Sequence, residues 1–336
     1  MKLNVTIADI AKKAKVSRMT VSRVLNNSGP VASGTAEKIK MIMKELNYHP
    51  NLIARSLSSM RTMTIGVIIP KTEKLFLDNY IAQILSGITD VAQKNNYRIM
   101  LIPVNHANEE EGDYLKFVRS KLFDGLILLK TKTNDPHLSE LAKSGFPYIM
   151  VNYRKFGDNF NFVDSENIKG AELAVEHIYN KGHRKIAFVA GSMDEINAGD
   201  RLKGYKNILK KYKLPYREEY IINGDFNKVT AYGNSKKLLD LKDRPTAIFC
   251  SDDYMALGVI EQIKKYKLSV PKDIAIVGFD NIEIGEFSRP ALTTVKQPMY
   301  EIGKTSSEAL LGLITGAKKS PVRIMLKTEL IIRESA

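Results

Sequence analysis

The sequence predicts an all-α head joined to a two-lobed α/β core with doubly wound parallel sheets. The first 50 or so residues are basic and carry apolar residues at helical spacing. From residue 63, continuous apolar runs alternate with amphipathic segments of helical length, and these runs fall into two sets. A chain of 336 residues that is 44% hydrophobic and 26% charged is long enough to bury such a core.

Three short helices are predicted within residues 6–47. Thr6 is the predicted cap of the first helix and Ser17 that of the second, because short polar side chains accept hydrogen bonds from the free N–H groups of a first turn. The third helix is predicted from Ser33 to about Asn47. Two helices joined by a tight turn within a basic unit of this size are typical of a helix-turn-helix.

The core elements are predicted from their periodicity. Buried strands are predicted at MTIGVIIP, YRIMLIPV, DGLILL and PYIMV in the first set, and at KIAFVAG, TAIFCS and DIAIVGF in the second. Helices are predicted at 166–181, 198–213, 228–240 and 252–267, and near 299–315. The last helix and the terminal runs near 321–332 are expected to cross back and complete both lobes, which gives a first lobe of 62–163 plus 298–326 and a second of 164–297 plus 327–336.

Composition argues against an enzyme. Cys250 is the single cysteine, which excludes an internal disulfide and paired-cysteine metal sites. The five histidines are scattered and show no metal-ligand spacing, and no nucleophile elbow or phosphate-binding glycine loop follows a strand. We therefore expect no metal, no cofactor and no catalysis.

Charge indicates a polyanionic partner for the head. The net charge is +14, and residues 1–61 hold eleven Lys/Arg against three Asp/Glu, a net +8. A solvated basic face is the alternative interpretation of this segment. No signal peptide and no apolar run of membrane-spanning length are recognisable, so we expect a cytoplasmic protein and not a periplasmic solute-binding protein.

Motifs along the whole chain resemble the LacI/GalR family of bacterial transcriptional regulators. They are TIADIAKKAKVSRMTVSRVLN, ELNYHPNLIARSL, VDSENIKGAELAVEHI, KGHRKIAFVAG, RLKGY, PTAIFCSDDYMALGVI, VPKDIAIVGFDN and RPALTTVKQP. The resemblance implies a helix-turn-helix domain at 1–50, a hinge helix at 51–61 and a ligand-binding and dimerisation core at 62–336 that is like a periplasmic sugar-binding protein. It further implies a homodimer that reads a near-palindromic operator in double-stranded DNA, and most often a repressor.

The second helix would then be the recognition helix. By the family motif, Arg18, Met19 and Arg23 fall where base edges are read, and an arginine fork can bond both O6 and N7 of guanine. A plain phosphate contact is the alternative role of Arg18. Phosphate contacts that position the head are expected from short polar side chains around the helix termini, which are Thr6, Ser17, Thr20, Ser22 and Asn26.

The hinge would contact the minor groove. The resemblance places Leu57 as a wedge that unstacks a base step at the operator centre. Ala54 would let the helix approach closely, and Asn51, Arg55 and Ser58 would contact the groove or the backbone. A linker without structure is the alternative for this segment.

The same resemblance places an effector between the lobes. Arg201 matches the family's effector-binding arginine and Asp280 its hydroxyl acceptor. Asp252 stands where the family often has asparagine, Phe226 is placed to stack on a sugar ring, and Gln297 completes the set from the crossover.

Alternatives remain for several of these positions. Phe226 could be ordinary core, and Arg201 with Asp280 could form an interlobe salt bridge. Asp253 and Asn281 are expected to be helix caps and not ligands.

The loop KTEKLFLDNYIAQIL after the first strand is longer than is common in the family. Asp78, Asn79 and Tyr80 are therefore expected to add polar contacts, which would suit a di- or oligosaccharide. A purine or a phosphorylated protein co-repressor is the alternative input, and the sequence does not indicate whether the effector strengthens or weakens operator binding.

Overall fold

A computed structural model describes residues 5–26, 29–48, 61–71, 79–104, 114–129, 137–154 and 160–336. By their contacts they divide into two compact units. The head comprises Met1–Met63 with Lys121–Asp124, and the core comprises Thr64–Ser120 with Gly125–Ala336.

The head contains the three predicted helices, α1 (Ile7–Ala14), α2 (Arg18–Asn26) and α3 (Ser33–Glu45). Each helix buries one apolar stripe, and Ile10, Val21 and Ile39 are fully buried at the centre. Thr6 caps α1 in a reciprocal capping box with Asp9, as predicted. The fold of the head is thus set by helical periodicity and caps that are visible in the sequence.

The third helix ends two residues earlier than predicted. Asn47 adopts a left-handed φ of 47°, and the N–H of Tyr48 donates to the carbonyl of Met43 at 2.9 Å. An αL residue just past the last turn, with this back-bonded N–H, is a common way to end a helix. Its first turn is also uncapped by a side chain, because Ala32 precedes Ser33 at the capping position.

The first sheet of the core is entirely parallel in its described pairs, with the strand order β2-β1-β3-β4-β5-β11. Its strands are β1 (Thr64–Pro70), β2 (Arg98–Val104), β3 (Gly125–Leu129), β4 (Tyr148–Val151), β5 (Phe162–Ser165) and β11 (Arg323–Leu326). The helices of this lobe are α4 (Asn79–Lys94), α5 (Tyr114–Arg119), α6 (His137–Lys143) and α12 (Met299–Thr315).

The second sheet repeats this order as β7-β6-β8-β9-β10-β12. Its strands are β6 (Ile186–Ala190), β7 (Ile221–Asn223), β8 (Ala247–Cys250), β9 (Ala275–Asp280), β10 (Thr293–Lys296) and β12 (Glu329–Ile331). Its helices are α7 (Asn167–Asn180), α8 (Ile196–Lys211), α9 (Lys228–Leu239), α10 (Asp253–Lys265) and α11 (Glu283–Glu286), with a 3-10 turn at Glu218–Tyr220.

The second sheet is covered on both faces at its centre, which explains why β6 and β8 are continuously apolar. Phe188 and Phe249 pack with α7 and α8 on one face. Their strand neighbours Ala187 and Ile248 pack with α9 and α10 on the other. Because successive strand residues point to opposite faces, β6 and β8 are apolar at every position.

Three details differ from the prediction. β12 runs antiparallel to β10, so the second sheet is mixed at its edge. β5, β7 and β10 were not predicted as strands. β7 is only three residues long, β5 ends in Asp164 and Ser165, and β10 contains two threonines and a lysine. β5 ends at Ser165, two residues beyond the predicted lobe split at 163.

The chain passes between the sheets three times, from β5 to α7, from β10 to α12 and from β11 to β12. Helix α12 packs tightly against α4, since a Cβ added at Gly87 would lie 2.1 Å from the carbonyl oxygen of Tyr300. In open parallel sheets, ligands bind beyond the carboxyl ends of the strands, so these crossovers border the expected ligand cleft.

No helix within the described ranges is long and apolar enough to cross a membrane.

Candidate nucleic-acid interface and ligand cleft

The second head helix separates a buried face from an exposed one. Val21 and Val24 lie in the head core, as predicted. Arg18, Met19 and Arg23 are exposed, and 64% of Met19 remains accessible. The exposed face of α2 therefore carries two guanidinium groups, which suits contact with a polyanion such as DNA.

The hydroxyls around α2 also have local partners. Ser17 accepts a hydrogen bond from the Thr20 N–H at 3.0 Å and shares one with the Thr20 hydroxyl at 2.9 Å, so it caps the helix. Thr6 bonds Asp9 in the same way at α1. Ser22 is half-buried on α2, and Asn26 is the last residue of that helix. Phosphate contacts by these residues stay a prediction.

Six predicted site residues lie outside the described residues. They are Asn51, Ala54, Arg55, Leu57 and Ser58 of the hinge, and Asp78 of the first-lobe loop.

A buried arginine organises the carboxyl end of the second sheet. Arg201, on α8, is 2% exposed. Its Nε donates to Asn167 Oδ1 at 3.0 Å, its Nη1 donates to the backbone carbonyl of Ser251, and its Nη2 lies 3.6 Å from Asp280 Oδ1. The guanidinium also stacks 3.8 Å above the ring of Phe279. Because Arg201 and Asp280 both belong to elements of the second lobe, the alternative of an interlobe salt bridge is wrong.

Asp280 and Gln297 continue this network toward the first lobe. The Gln297 amide donates from Nε2 to Asp280 Oδ1 at 2.6 Å and accepts at Oε1 from the Ser165 hydroxyl at 2.6 Å. Ser165 ends β5 of the first sheet and Gln297 follows β10 of the second, so two crossover segments are joined side chain to side chain. Gln297, predicted as a ligand residue, is 3% exposed and has this linking role.

A second arginine connects the two lobes. Arg154 follows β4, its Nε lies 3.2 Å from Asp164 Oδ2, and its Nη2 donates to Asp200 on α8. Asp164 Oδ1 also accepts from the Ser165 N–H at 2.7 Å and from Asn167 Nδ2 at 3.2 Å. These contacts link the two arginines through Asn167.

Tyr80 of the first lobe is under the electrostatic influence of this charged cluster. It lies in the first turn of α4, where Asn79 is half-buried, and it is itself 9% exposed. Burial raises the pKa of Tyr80 well above its ordinary value, the charges of Asp164 and Asp280 raise it further, and Arg201 opposes them. The charges of two predicted second-lobe residues, Asp280 and Arg201, therefore act on a predicted first-lobe residue.

Asp252, which was predicted as a ligand residue, is a helix cap, whereas Asp253, which was predicted as a cap, is not one. Asp252 is the N-cap of α10 and accepts from the Met255 N–H at 2.6 Å. Asp253 is fully buried and accepts from the Thr294 hydroxyl at 2.5 Å and from the Ile282 N–H at 2.8 Å. The expectation that Asp253 is a cap is therefore wrong, because the helix begins at Asp253 itself, one residue earlier than such a cap requires.

Asn281 was also wrongly expected to be a cap. Its side chain accepts from Arg333 Nη2 at 2.9 Å, and the N-cap of α11 is Ile282 without a side-chain bond. Phe226 is half-buried, packs against the α9–α10 core cluster and lies 5.8 Å from the Arg201 guanidinium. This position is compatible with both roles predicted for Phe226, which are ordinary core packing and stacking on a sugar ring.

Sequence analysis missed several polar residues of the cleft. They are Asn152, Arg154, Asp164, Asn167 and Ser251. Four of them could have been found. Asn152, Arg154 and Ser251 follow or end apolar runs that were predicted as strands, and Asn167 lies at the start of a predicted helix. Parallel strands bring such positions to one edge.

Burial raises the pKa of Asp164 to about 6 from an ordinary 3.8, against the opposing effects of Arg154 and the Ser165 N–H. The folded protein therefore binds a proton more tightly than the unfolded chain. This contribution to stability is complete below about pH 3.8 and is lost as pH rises through about 6.

We expect Asp164→Asn to remove this pH dependence. Between about pH 6.5 and about pH 4.5, the wild type should gain about 2 kcal/mol in free energy of unfolding relative to the variant. Urea unfolding at both pH values measures it. Asp243→Asn is the control with the opposite sign, since Lys185 and Arg217 lower the pKa of exposed Asp243. Parallel pH profiles of the wild type and Asp164→Asn would contradict the assignment.

Comparisons with known proteins agree with this architecture. Residues 6–51 match the family described as bacterial regulatory proteins, lacI family, and residues 175–336 match a periplasmic binding protein-like domain. Catabolite control protein A of Priestia megaterium is 38% identical over 309 residues, which is 92% of each chain.

Solved structures extend the likeness over the entire chain. The lac repressor dimer bound to operator and the anti-inducer ONPF aligns with a TM-score of 0.87 at 28% identity, over 99% of both chains. The complex of the transcriptional regulator CelR with cellobiose aligns with a TM-score of 0.77 at 31% identity, over 99% of this chain and 100% of the other. This chain therefore belongs to the LacI family and is a helix-turn-helix, DNA-binding transcriptional regulator.

Proposed function

We propose that this chain acts as a homodimeric repressor whose affinity for a near-palindromic operator is set by a small sugar-like ligand between the core lobes. The observation that carries the proposal is Arg201, a buried guanidinium at the carboxyl edge of the second sheet. Since DNA is the partner, the protein acts in the cytoplasm, and we assign no catalysis to the cleft.

Neutral polar groups support a polyhydroxylated ligand. Both amide atoms of Asn152 and the hydroxyl of Ser251 are buried and, within the described part of the chain, have no hydrogen-bond partner. Asn152 follows β4 of the first sheet and Ser251 follows β8 of the second. Buried polar atoms are costly unless a partner satisfies them, and sugar hydroxyls both donate and accept.

An aromatic surface and a relative support the same class. Phe226 lies near Arg201, and an aromatic face suits the apolar side of a sugar ring. The structural relative CelR was solved with cellobiose. The longer loop that contains Asp78 would add contacts to a ligand of that size.

The DNA-binding half of the proposal rests on the exposed face of α2. Arg18 and Arg23 can reach guanine edges, and Met19 can contact a thymine methyl group. In this proposal the hinge residues, Leu57 foremost, contact the minor groove.

A ligand panel tests the proposal. The probe is a fluorescent duplex that the wild-type protein selects from a random pool, and anisotropy reports its Kd with neutral mono- and disaccharides, sugar phosphates and purine bases. We expect one neutral sugar to shift the Kd about tenfold or more, which corresponds to about 1.4 kcal/mol of coupling. Arg201→Ala should lose this shift and keep the Kd measured without ligand.

Arg217→Ala is the matched control, because Arg217 lies on the surface in a pair with Asp243. A shift caused only by purines or by sugar phosphates would contradict the sugar assignment. Loss of operator binding in a folded Arg201→Ala protein would show that Arg201 is needed for DNA binding itself and not only for the response to ligand.

We expect Arg23→Gln to weaken binding to the selected duplex by about tenfold or more, since a good base contact contributes about 1–3 kcal/mol of discrimination. Binding to a scrambled duplex should fall by about twofold or less. The control is Lys40→Gln, which removes one positive charge from an exposed position on α3. Equal losses on both duplexes would show that Arg23 contacts phosphate only.

A further inference from the structure

Arg154 is fixed to the first lobe. It follows β4 after two residues, and its Nε lies 3.2 Å from Asp164 Oδ2 on the neighbouring strand β5. Asp164 is 1% exposed and is itself held by the Ser165 N–H. A carboxylate in this setting orients the guanidinium, because its own position is set by backbone.

The other end of Arg154 reaches the second lobe. Its Nη2 donates to Asp200 on α8, a helix that packs on the second sheet through Tyr205 and Ile208. The side chains of Arg154 and Asp200 are only 12% and 14% exposed. A charge-assisted hydrogen bond so shielded from solvent is screened less by salt than a surface pair.

This contact differs from the link between Ser165 and Gln297. Ser165 and Gln297 lie on crossover segments, where the chain itself joins the two sheets. Neither Arg154 nor Asp200 lies on a crossover. Rotation of one lobe about the crossovers would keep Ser165 beside Gln297, and it would separate Arg154 from Asp200.

The contact is also next to the ligand residue of the proposed function. Asp200 and Arg201 are consecutive on α8, and they turn to different partners: Asp200 to Arg154, and Arg201 to Asn167, Ser251 and Asp280. The Arg154–Asp200 contact therefore links the first lobe to the helical turn that carries Arg201.

We propose that Arg154 is a positioning residue that holds the two lobes in the arrangement described above through Asp200, and so sets operator affinity in the absence of ligand. The inference rests on the proposed function, in which lobe arrangement governs operator binding. A bound ligand then acts on an equilibrium that the protein already biases with its own side chains.

A double-mutant cycle tests the proposal with the full-length protein. Arg154→Gln, Asp200→Asn and the double variant are titrated, without ligand, against the duplex that the wild type selects from a random pool. We expect each single variant to change the Kd about twofold or more in the same direction. The double variant should change it no more than the larger single variant. Binding to a scrambled duplex should not change, a result that a purely structural defect would not give.

The exposed pair Lys185 and Asp243 provides the control cycle, and its variants should leave the Kd within about twofold. Asp200→Asn preserves the shape of the side chain and carries the test if Arg154→Gln does not fold. A wild-type protein that selects no duplex would overturn the proposed function and this inference together. If the wild type does select a duplex, single variants that shift its Kd less than about twofold, or additive shifts in the double variant, would overturn the proposed role of Arg154 alone.

Discussion

The buried guanidinium of Arg201 is the constraint on which the ligand-binding region depends. A charge taken out of water is tolerated only where partners replace its hydration. Here the partners come from three other places in the chain: Asn167 at the start of α7, the Ser251 carbonyl after β8, and Asp280 at the end of β9. One side chain thus fixes where two strands end and a helix begins.

The same network extends across the lobes. Asp280, which has a φ of 114°, accepts from Gln297, and Gln297 accepts from Ser165 at the end of the first sheet. Positive φ is costly for a residue with a Cβ and is kept where surrounding contacts hold it. The carboxyl edges of both sheets are therefore preorganised, which lowers the entropic cost of ligand binding. Arg154 adds a contact that lobe rotation can break, so the cleft combines a fixed part with a switchable part.

The sequence predicted the elements with strong periodicity and missed those without it. The apolar runs of β1 and β8 and the stripes of α1 and α2 were found where expected, because burial on a sheet or a helix face leaves a regular pattern. β7 has only three residues, which is too few for any pattern. Which of Asp252 and Asp253 caps the helix could not be predicted. The buried side chain of Asp253 accepts hydrogen bonds from Thr294 and Ile282, residues that are distant in sequence.

The site was predictable only where a motif marked it. Arg201, Asp280 and Gln297 were predicted from the family resemblance and lie in one network, although the pairing within the second lobe was not expected. Arg154 and Asp164 lie near the predicted lobe boundary, where no periodicity marks them. Their association depends on the parallel pairing of β4 with β5, which is a tertiary fact.

The most direct test of the central role of Arg201 is amide hydrogen exchange of wild type and Arg201→Met. If one guanidinium fixes all three partner segments, exchange should rise by about tenfold or more around Asn167, Ser251 and Asp280, segments far apart in sequence, while the amides of β1 stay protected. An increase confined to α8 would contradict the account, because it would show that the edge of the second sheet holds its shape without Arg201.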